Sequence, residues 1–201
     1  MIIHPIMRAI VKRKLKNPES LIKLLMKAEH GWANSLGKLA SSLPYEDIVL
    51  KFEIWQQADE EHQHGNMLAF LIDAPRAKGI SDWAADEKVG AVASYITPLQ
   101  KILRRSLDTY GLEDRLAFAF WVEVAAKNFY LALEQEASDP KIKNVARAIA
   151  EDEIGHKSYI LEVLIEHMGR WQAFFLLAKW AWKFIAATPE VWRFVRGTSK
   201  S

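Results

Sequence analysis

The sequence predicts an all-α fold, in which two antiparallel helical hairpins joined by a long crossover form a four-helix bundle, with an additional C-terminal amphipathic helix. Two observations lead to this prediction. Apolar residues recur every three or four positions through four long stretches, and short proline-containing breaks separate the two stretches of each pair. No segment alternates in the way a half-buried strand does. The chain has 201 residues, 50% of them hydrophobic, so we expect a single domain over 1–201.

The limits of the first hairpin follow from capping residues and prolines. Asn17 is expected to cap a helix that has Pro18 at its first position and extends over about 18–42. Pro44 ends this run, and a second apolar stripe begins almost at once and ends near residue 72. The short connection makes the two helices antiparallel neighbours.

The second hairpin follows an expected crossover over 73–111, which contains a shorter helical piece. A third apolar stripe comes next and stops before Asp139, which together with Pro140 is expected to cap and start a fourth helix. Gly169 is the expected end of that helix. The two hairpins and the crossover therefore make a bundle over 18–168.

Basic residues are concentrated at the two ends of the chain. The segment 1–17 holds five bases and no acid, but no continuous apolar run of the kind a secretory signal contains, so we expect a cytoplasmic protein. The segment 170–196 is aromatic and basic. It is not expected to span a membrane, because its most apolar part is short and contains Lys179 and Lys183. Bases confined to the ends do not form a nucleic-acid groove, so we expect no nucleic-acid partner.

Two interpretations of the C-terminal helix stay open. Its tryptophans and phenylalanines, together with the basic N-terminal segment, are suited to contact with a membrane surface and to a lipophilic substrate. The same aromatics are equally suited to covering the bundle or a homodimer contact, with the lysines left in water.

Each of the four long helices carries one glutamate at a position where its apolar stripe predicts a core residue. In the second and fourth helices a histidine follows the glutamate by three positions, which places both side chains on one helical surface. The groups of the second hairpin lie 92 or 94 positions after their counterparts in the first. The six residues are Glu29, Glu61, His64, Glu123, Glu153 and His156.

Four carboxylates in a bundle core require neutralisation, because each loses its hydration on burial. Two divalent cations balance four glutamates, and two imidazoles complete an oxygen and nitrogen ligand set that suits Fe or Mn better than Ca. The chain has no cysteine, which excludes thiolate zinc sites, disulfides and Cys-ligated iron–sulfur centres. The sequence therefore predicts a dinuclear metal site, and solvated helix faces are the alternative.

With these motifs, residues 18–168 resemble the ferritin-like di-iron carboxylate superfamily, and within it rubrerythrin-type proteins and small O2-activating oxidases or oxygenases. The resemblance implies that the six residues bind two Fe ions, with Mn or mixed Mn/Fe as alternatives, and that Glu29, Glu61, Glu123 and Glu153 are the catalytic carboxylates. It implies an oxidoreductase acting with O2 or H2O2 as oxidase, peroxidase or oxygenase. A ferritin-like iron-oxidising or iron-binding protein, a rubrerythrin-like peroxide scavenger and a structural bundle are the other classes.

One departure from rubrerythrins is the absence of cysteine, which leaves no rubredoxin module to deliver electrons. A catalytic protein of this kind would need a separate electron-donor protein, or a substrate that is itself the reductant.

Several residues near the six are weaker candidates. Asp152 is within helical reach of the expected ligand His156 and is a candidate hydrogen-bond partner. Tyr130 and Tyr159 are placed to act as redox-active tyrosines, although aromatics at helical spacing are more often core residues. Small side chains next to the site either leave room for O2 or let helices approach closely; these are Ala33 and Gly65.

A competing pair, Asp59 and His62, lies beside the second-helix motif together with Glu60, but on a different helical face from the apolar stripe. His30 and His167 are interpreted as structural or solvent-facing.

Overall fold

The computed structural model describes residues 3–73 and 109–197, with side chains described as far as residue 186. Over these residues the chain is helical and contains no strand, which confirms the all-α prediction. The helices are α1 Ile3–Lys14, α2 Pro18–Ser42, α3 Ile48–Leu71, α4 Leu112–Glu136, α5 Pro140–Met168 and α6 Arg170–Gly197. They belong to two compact units, one containing α2 and α3 and the other α1, α4, α5 and α6.

In the first unit, α2 and α3 form a hairpin whose limits are set by local signals. The Asn17 side chain accepts a hydrogen bond from the backbone N–H of Ser20 at 3.2 Å, and Pro18 occupies the first helical position, where its missing N–H is not needed. After α2, Pro44 is in an extended conformation and a 3-10 turn over Tyr45–Asp47 leads into α3. The predicted range 18–42 for the first helix is confirmed.

In the second unit, α4 and α5 form the other hairpin. The Asp139 side chain accepts from the backbone N–H of Lys141 at 2.8 Å, directly before the first-turn Pro140. At the end of α5 the N–H of Gly169 donates to the carbonyl of Ile165 at 2.9 Å, and its φ of 82° is one that glycine adopts without strain. The predicted cap and stop of this helix are confirmed.

Helix α6 packs on α4 and α5 through one face. Trp180 is fully buried there, and its indole N–H donates to Asp114 Oδ1 at 2.7 Å, while Lys179 Nζ lies 3.0 Å from the same oxygen. The ring of Tyr110 meets Trp180 edge-on with centroids 5.6 Å apart. Burial raises the pKa of Asp114, but the hydrogen bonds from Trp180 and Lys179 and the charges of Lys179 and Lys183 hold it below its ordinary value.

The N-terminal segment contains a helix, α1, that the sequence did not lead us to assign. Ile10 and Val11 are buried, and the Arg8 guanidinium forms an ion pair with Glu136 at the end of α4, with Nε donating to Oε1 at 2.8 Å. The segment is therefore packed within its unit and is not only a basic extension of the chain.

A crossover was predicted over 73–111. Most of it, residues 74–108, lies outside the described residues. Among the described helices, α4 alone is long enough and apolar enough to cross a membrane, by length and composition. The core helix of a soluble bundle satisfies the same criteria, and α4 packs against both α5 and α6 and carries the buried Glu123.

Candidate metal centre

The first hairpin brings three candidate ligands together. Glu29 on α2 and Glu61 and His64 on α3 are all buried, with Glu61 at 0% exposure. Each offers one ligand atom, and these atoms lie within 4.8 Å of one another. His64 Nδ1 is 3.4 Å from Glu61 Oε2, as the three-residue spacing on one helix predicts.

The second hairpin repeats this arrangement. Glu123 on α4 and Glu153 and His156 on α5 are buried, both glutamates at 0% exposure, and their ligand atoms also lie within 4.8 Å of one another. His156 Nδ1 is 3.7 Å from Glu153 Oε2 and 3.9 Å from Glu123 Oε2. Each hairpin thus holds a set of two carboxylates and one imidazole, which we call a half-site.

The donor chemistry of each half-site fits a divalent cation. Two ionised carboxylates bring two negative charges into a buried position, and a divalent ion neutralises them while the imidazole adds a nitrogen ligand. In a low-dielectric environment the carboxylates are destabilised without such a counter-charge. These buried groups point to a metal site, and the role of each of the six residues as a ligand stays a prediction.

A buried histidine pair lies next to the first half-site, and sequence reasoning missed it. His30 and His62 each follow a candidate ligand by one residue, and both are buried. Their Nδ1 atoms are 3.1 Å apart and their rings meet edge-on with centroids 4.7 Å apart. Burial, and next the neighbouring His62 ring, lower the pKa of His30 to about 4, so the ring is neutral at pH 7.

His62 was expected on a different face of α3 from the apolar stripe, and the structure nevertheless buries it. One helical position is a rotation of about 100°, and α2 packs closely enough to cover that second face of α3 as well. Asp59, its proposed partner, instead accepts a hydrogen bond from Gln63 at 3.0 Å on the exposed side, and Glu60 accepts one from Gln56.

The structure decides the role of Gly65 in favour of close approach. A Cβ atom built on Gly65 would lie 2.5 Å from Cε1 of His30, so the missing side chain makes room for the His30 ring. Ala33, the other small residue, is fully buried. The sequence signal that identifies this contact is the pairing of a core-facing histidine on α2 with a glycine on α3.

The second hairpin has no counterpart to the histidine pair. The positions that follow Glu123 and Glu153 are Val124, which is half-buried, and Ile154, which is 44% exposed. The duplication of the two hairpins therefore covers the candidate ligands but not the groups beside them.

The remaining candidates have differing environments. Tyr130 is buried and its ring contacts Phe129, as a core aromatic does, whereas Tyr159 is half-buried. Asp152 and His167 lie at exposed positions on α5, the latter in agreement with its solvent-facing interpretation.

Comparison with known proteins supports a metal centre on the second hairpin. Residues 114–191 match the family model described as Rubrerythrin, a range that includes Glu123, Glu153 and His156. Comparison with curated proteins and comparison with solved structures gave no match. Over residues 114–191 the chain is thus similar to the Rubrerythrin family, and over that range the match supports the resemblance to ferritin-like di-iron carboxylate proteins.

Proposed function

We propose that this protein is a non-haem di-iron oxidoreductase that reacts with O2 or H2O2. One observation carries the proposal: two carboxylates and one imidazole are buried within 4.8 Å of one another on each hairpin, at nearly duplicated sequence positions. A structural bundle has no use for such groups, because burying charge without a counter-ion lowers stability.

In this proposal each half-site holds one ion. Glu29, Glu61 and His64 supply the ligands of one, and the equivalent Glu123, Glu153 and His156 supply those of the other. Two divalent ions balance the four carboxylates, so the buried charge sums to zero in the reduced, metal-loaded protein. Iron is the metal of the matched family, and Mn or mixed Mn/Fe is compatible with the same oxygen and nitrogen donors.

The proposed mechanism assigns separate tasks to the protein groups. Bound iron supplies one-electron redox chemistry towards O2 or peroxide. The four carboxylates would hold the ions through their oxygens and balance their charge, and each imidazole would bind through one ring nitrogen. The complete burial of Glu61, Glu123 and Glu153 excludes bulk water, which strengthens the electrostatic interactions of the site.

The source of electrons is a second part of the proposal. The chain has no cysteine to form a rubredoxin-type centre, so the reductant is a separate electron-donor protein or the organic substrate itself. Two other functions use the same ligands: iron oxidation and binding as in ferritin-like proteins, and peroxide scavenging with an external reductant. The number of Fe(II) ions oxidised per chain distinguishes a ferritin-like iron-binding protein from an enzyme. A preference for peroxide over O2 identifies a peroxide scavenger.

The deciding experiment is metal analysis combined with single-turnover oxidation. Wild-type protein reconstituted anaerobically with Fe(II) is expected to retain about two irons per chain and to change its optical spectrum once O2 or H2O2 is added. Glu61→Ala is expected to lose at least one iron and most of this reaction. The matched control is Glu60→Ala, which changes the neighbouring, half-buried glutamate that accepts a hydrogen bond from Gln56.

Equal metal content and reactivity in the Glu61→Ala and Glu60→Ala proteins would reject the proposal. Oxidation of many Fe(II) ions per chain, with retention of the product, would replace it with iron storage.

A further inference from the structure

Helix α6 is apolar on two opposite faces. One face packs on α4 and α5 in the second unit through Ala173, Leu177 and Trp180, all buried. The opposite face carries five large apolar side chains that are 56–74% exposed, which we call the outer stripe. Its members are Trp171, Phe174, Phe175, Trp182 and Ile185.

The outer stripe is continuous along the helix. Its residues stand at intervals of three, one, seven and three positions, which at about 100° per residue places them within about a third of the helix circumference. The fourteen helical steps from Trp171 to Ile185 rise about 21 Å. Side chains of this size and exposure present on the order of 600 Å² of apolar surface, which is at the upper limit for the largest patch on a monomeric protein.

Basic residues border the outer stripe on both sides. At the same 100° rotation, Arg170 and Lys179 each fall about 40° from an edge of the stripe, and Lys183 falls about 80° from it, towards the buried Trp180. Residues 170–186 contain no acid. The lysines are held in place, because Lys179 Nζ lies 3.0 Å from Asp114 Oδ1 and Lys183 Nζ lies 4.2 Å from the centroid of the Trp180 ring.

We propose that the outer stripe of α6 docks on an anionic lipid bilayer, with the helix lying parallel to the membrane surface. Tryptophan and phenylalanine side chains enter the boundary between headgroups and acyl chains, while the exposed Arg170 and Lys179 lie near anionic headgroups. The charge pattern favours this partner over a second copy of the chain. A two-fold dimer through the stripe would bring the bases of both copies together, and Asp114, which pairs with Lys179, offsets only part of that charge, so repulsion opposes association.

A second exposed apolar patch, at the start of α3, has the opposite charge surroundings and supplies a control. Val49 is 71% exposed and Phe52 is 65% exposed there, close to the acidic residues Glu46, Asp47 and Glu53. Acidic borders are repelled by anionic lipid. A phenylalanine in this patch matches those of the outer stripe in size and exposure but is not expected to contribute to membrane binding.

The test is vesicle flotation of the full-length protein. Wild-type protein is expected to float with phosphatidylcholine vesicles containing about 30% phosphatidylglycerol, and to bind pure phosphatidylcholine vesicles more weakly. The double variant F174E/F175E is expected to reduce the partition coefficient at least about tenfold, because it removes apolar area and adds two charges that anionic lipid repels. F52E, the matched control, is expected to bind like wild type.

Both variants change exposed side chains, so circular dichroism and thermal unfolding are expected to match those of wild type. A readout independent of flotation is quenching of tryptophan fluorescence by brominated lipid, which is expected in wild type and reduced in W171F/W182F.

Absence of wild-type binding to anionic vesicles, or equal binding of wild type and F174E/F175E, would overturn the proposal. A stable wild-type dimer that F174E/F175E dissociates, in protein that does not float, would assign the stripe to a second copy instead. The proposal does not depend on metal, and flotation of the metal-free protein tests it separately from the proposed function.

Discussion

The Nδ1 atoms of His30 and His62 lie 3.1 Å apart between α2 and α3, so the two rings share one hydrogen bond in a buried position. One ring must carry its proton on Nδ1 while the other presents a bare Nδ1. Because each histidine directly follows a candidate ligand, Glu29 or Glu61, this hydrogen bond fixes the register of the two helices beside the first half-site.

Gly65→Ala is expected to lower the free energy of unfolding by about 1–3 kcal/mol, as measured by urea denaturation. The new methyl group would overlap the His30 ring, which must move and give up its hydrogen bond to His62. The control is Gly155→Ala on α5, where a Cβ meets nothing within 4 Å. There the better helix propensity of alanine is expected to stabilise the protein by about 0.5–1 kcal/mol. Stabilisation by both substitutions would contradict the close contact.

Glu153→Gln is expected to stabilise the metal-free protein by about 1–3 kcal/mol, because an amide of the same shape removes a buried charge that lies close to Glu123. The same variant is expected to lose the rise in melting temperature that Fe(II) gives the wild type, since that rise reflects metal binding to the native state. The exposed Glu151→Gln is the control, and it is expected to change neither quantity. A destabilised metal-free Glu153→Gln protein would show that this carboxylate has a structural role.

Asp114→Asn is expected to lower stability at pH 7 by about 1 kcal/mol while keeping an oxygen that accepts from Trp180. The pKa of Asp114 is depressed in the folded protein, so its charge stabilises the fold above the ordinary aspartate range, and this contribution disappears as the pH falls through the folded value. The difference between wild type and variant is therefore expected to shrink below about pH 4. Chemical denaturation at several pH values measures it, and a difference that does not change with pH would contradict a charge-dependent contact.

Asp139→Ala is expected to destabilise the protein by about 1 kcal/mol through loss of the hydrogen bond to the N–H of Lys141, which caps α5. Asp139→Asn keeps a capping oxygen and is expected to cost only a few tenths of a kcal/mol. Thermal unfolding of the two variants distinguishes capping from a general effect of charge. Equal losses in both would indicate that the charge, and not the capping hydrogen bond, stabilises the helix.

The sequence alone determined helices α2 to α6 and the burial of the six candidate ligands, but not helix α1, because the signals it carries are short-range. Asn17 with Pro18, and Asp139 with Pro140, start helices through hydrogen bonds and dihedral restrictions that involve only residues within one helical turn. Burial of the six Glu and His side chains followed from helical periodicity, because each replaces a core residue in an apolar stripe.

Only the tertiary structure decided which helix faces outside the apolar stripes are buried. His62 lies about 100° around α3 from Glu61, and it is buried because α2 brings His30 against it, with the His30 ring in the space left by Gly65. Helix α6 has apolar residues on both sides, and the contact of Trp180 with Asp114 determined which side packs and which side stays exposed. Periodicity describes one helix at a time, whereas burial of a second face depends on a neighbouring helix whose distance and side-chain sizes are not encoded locally.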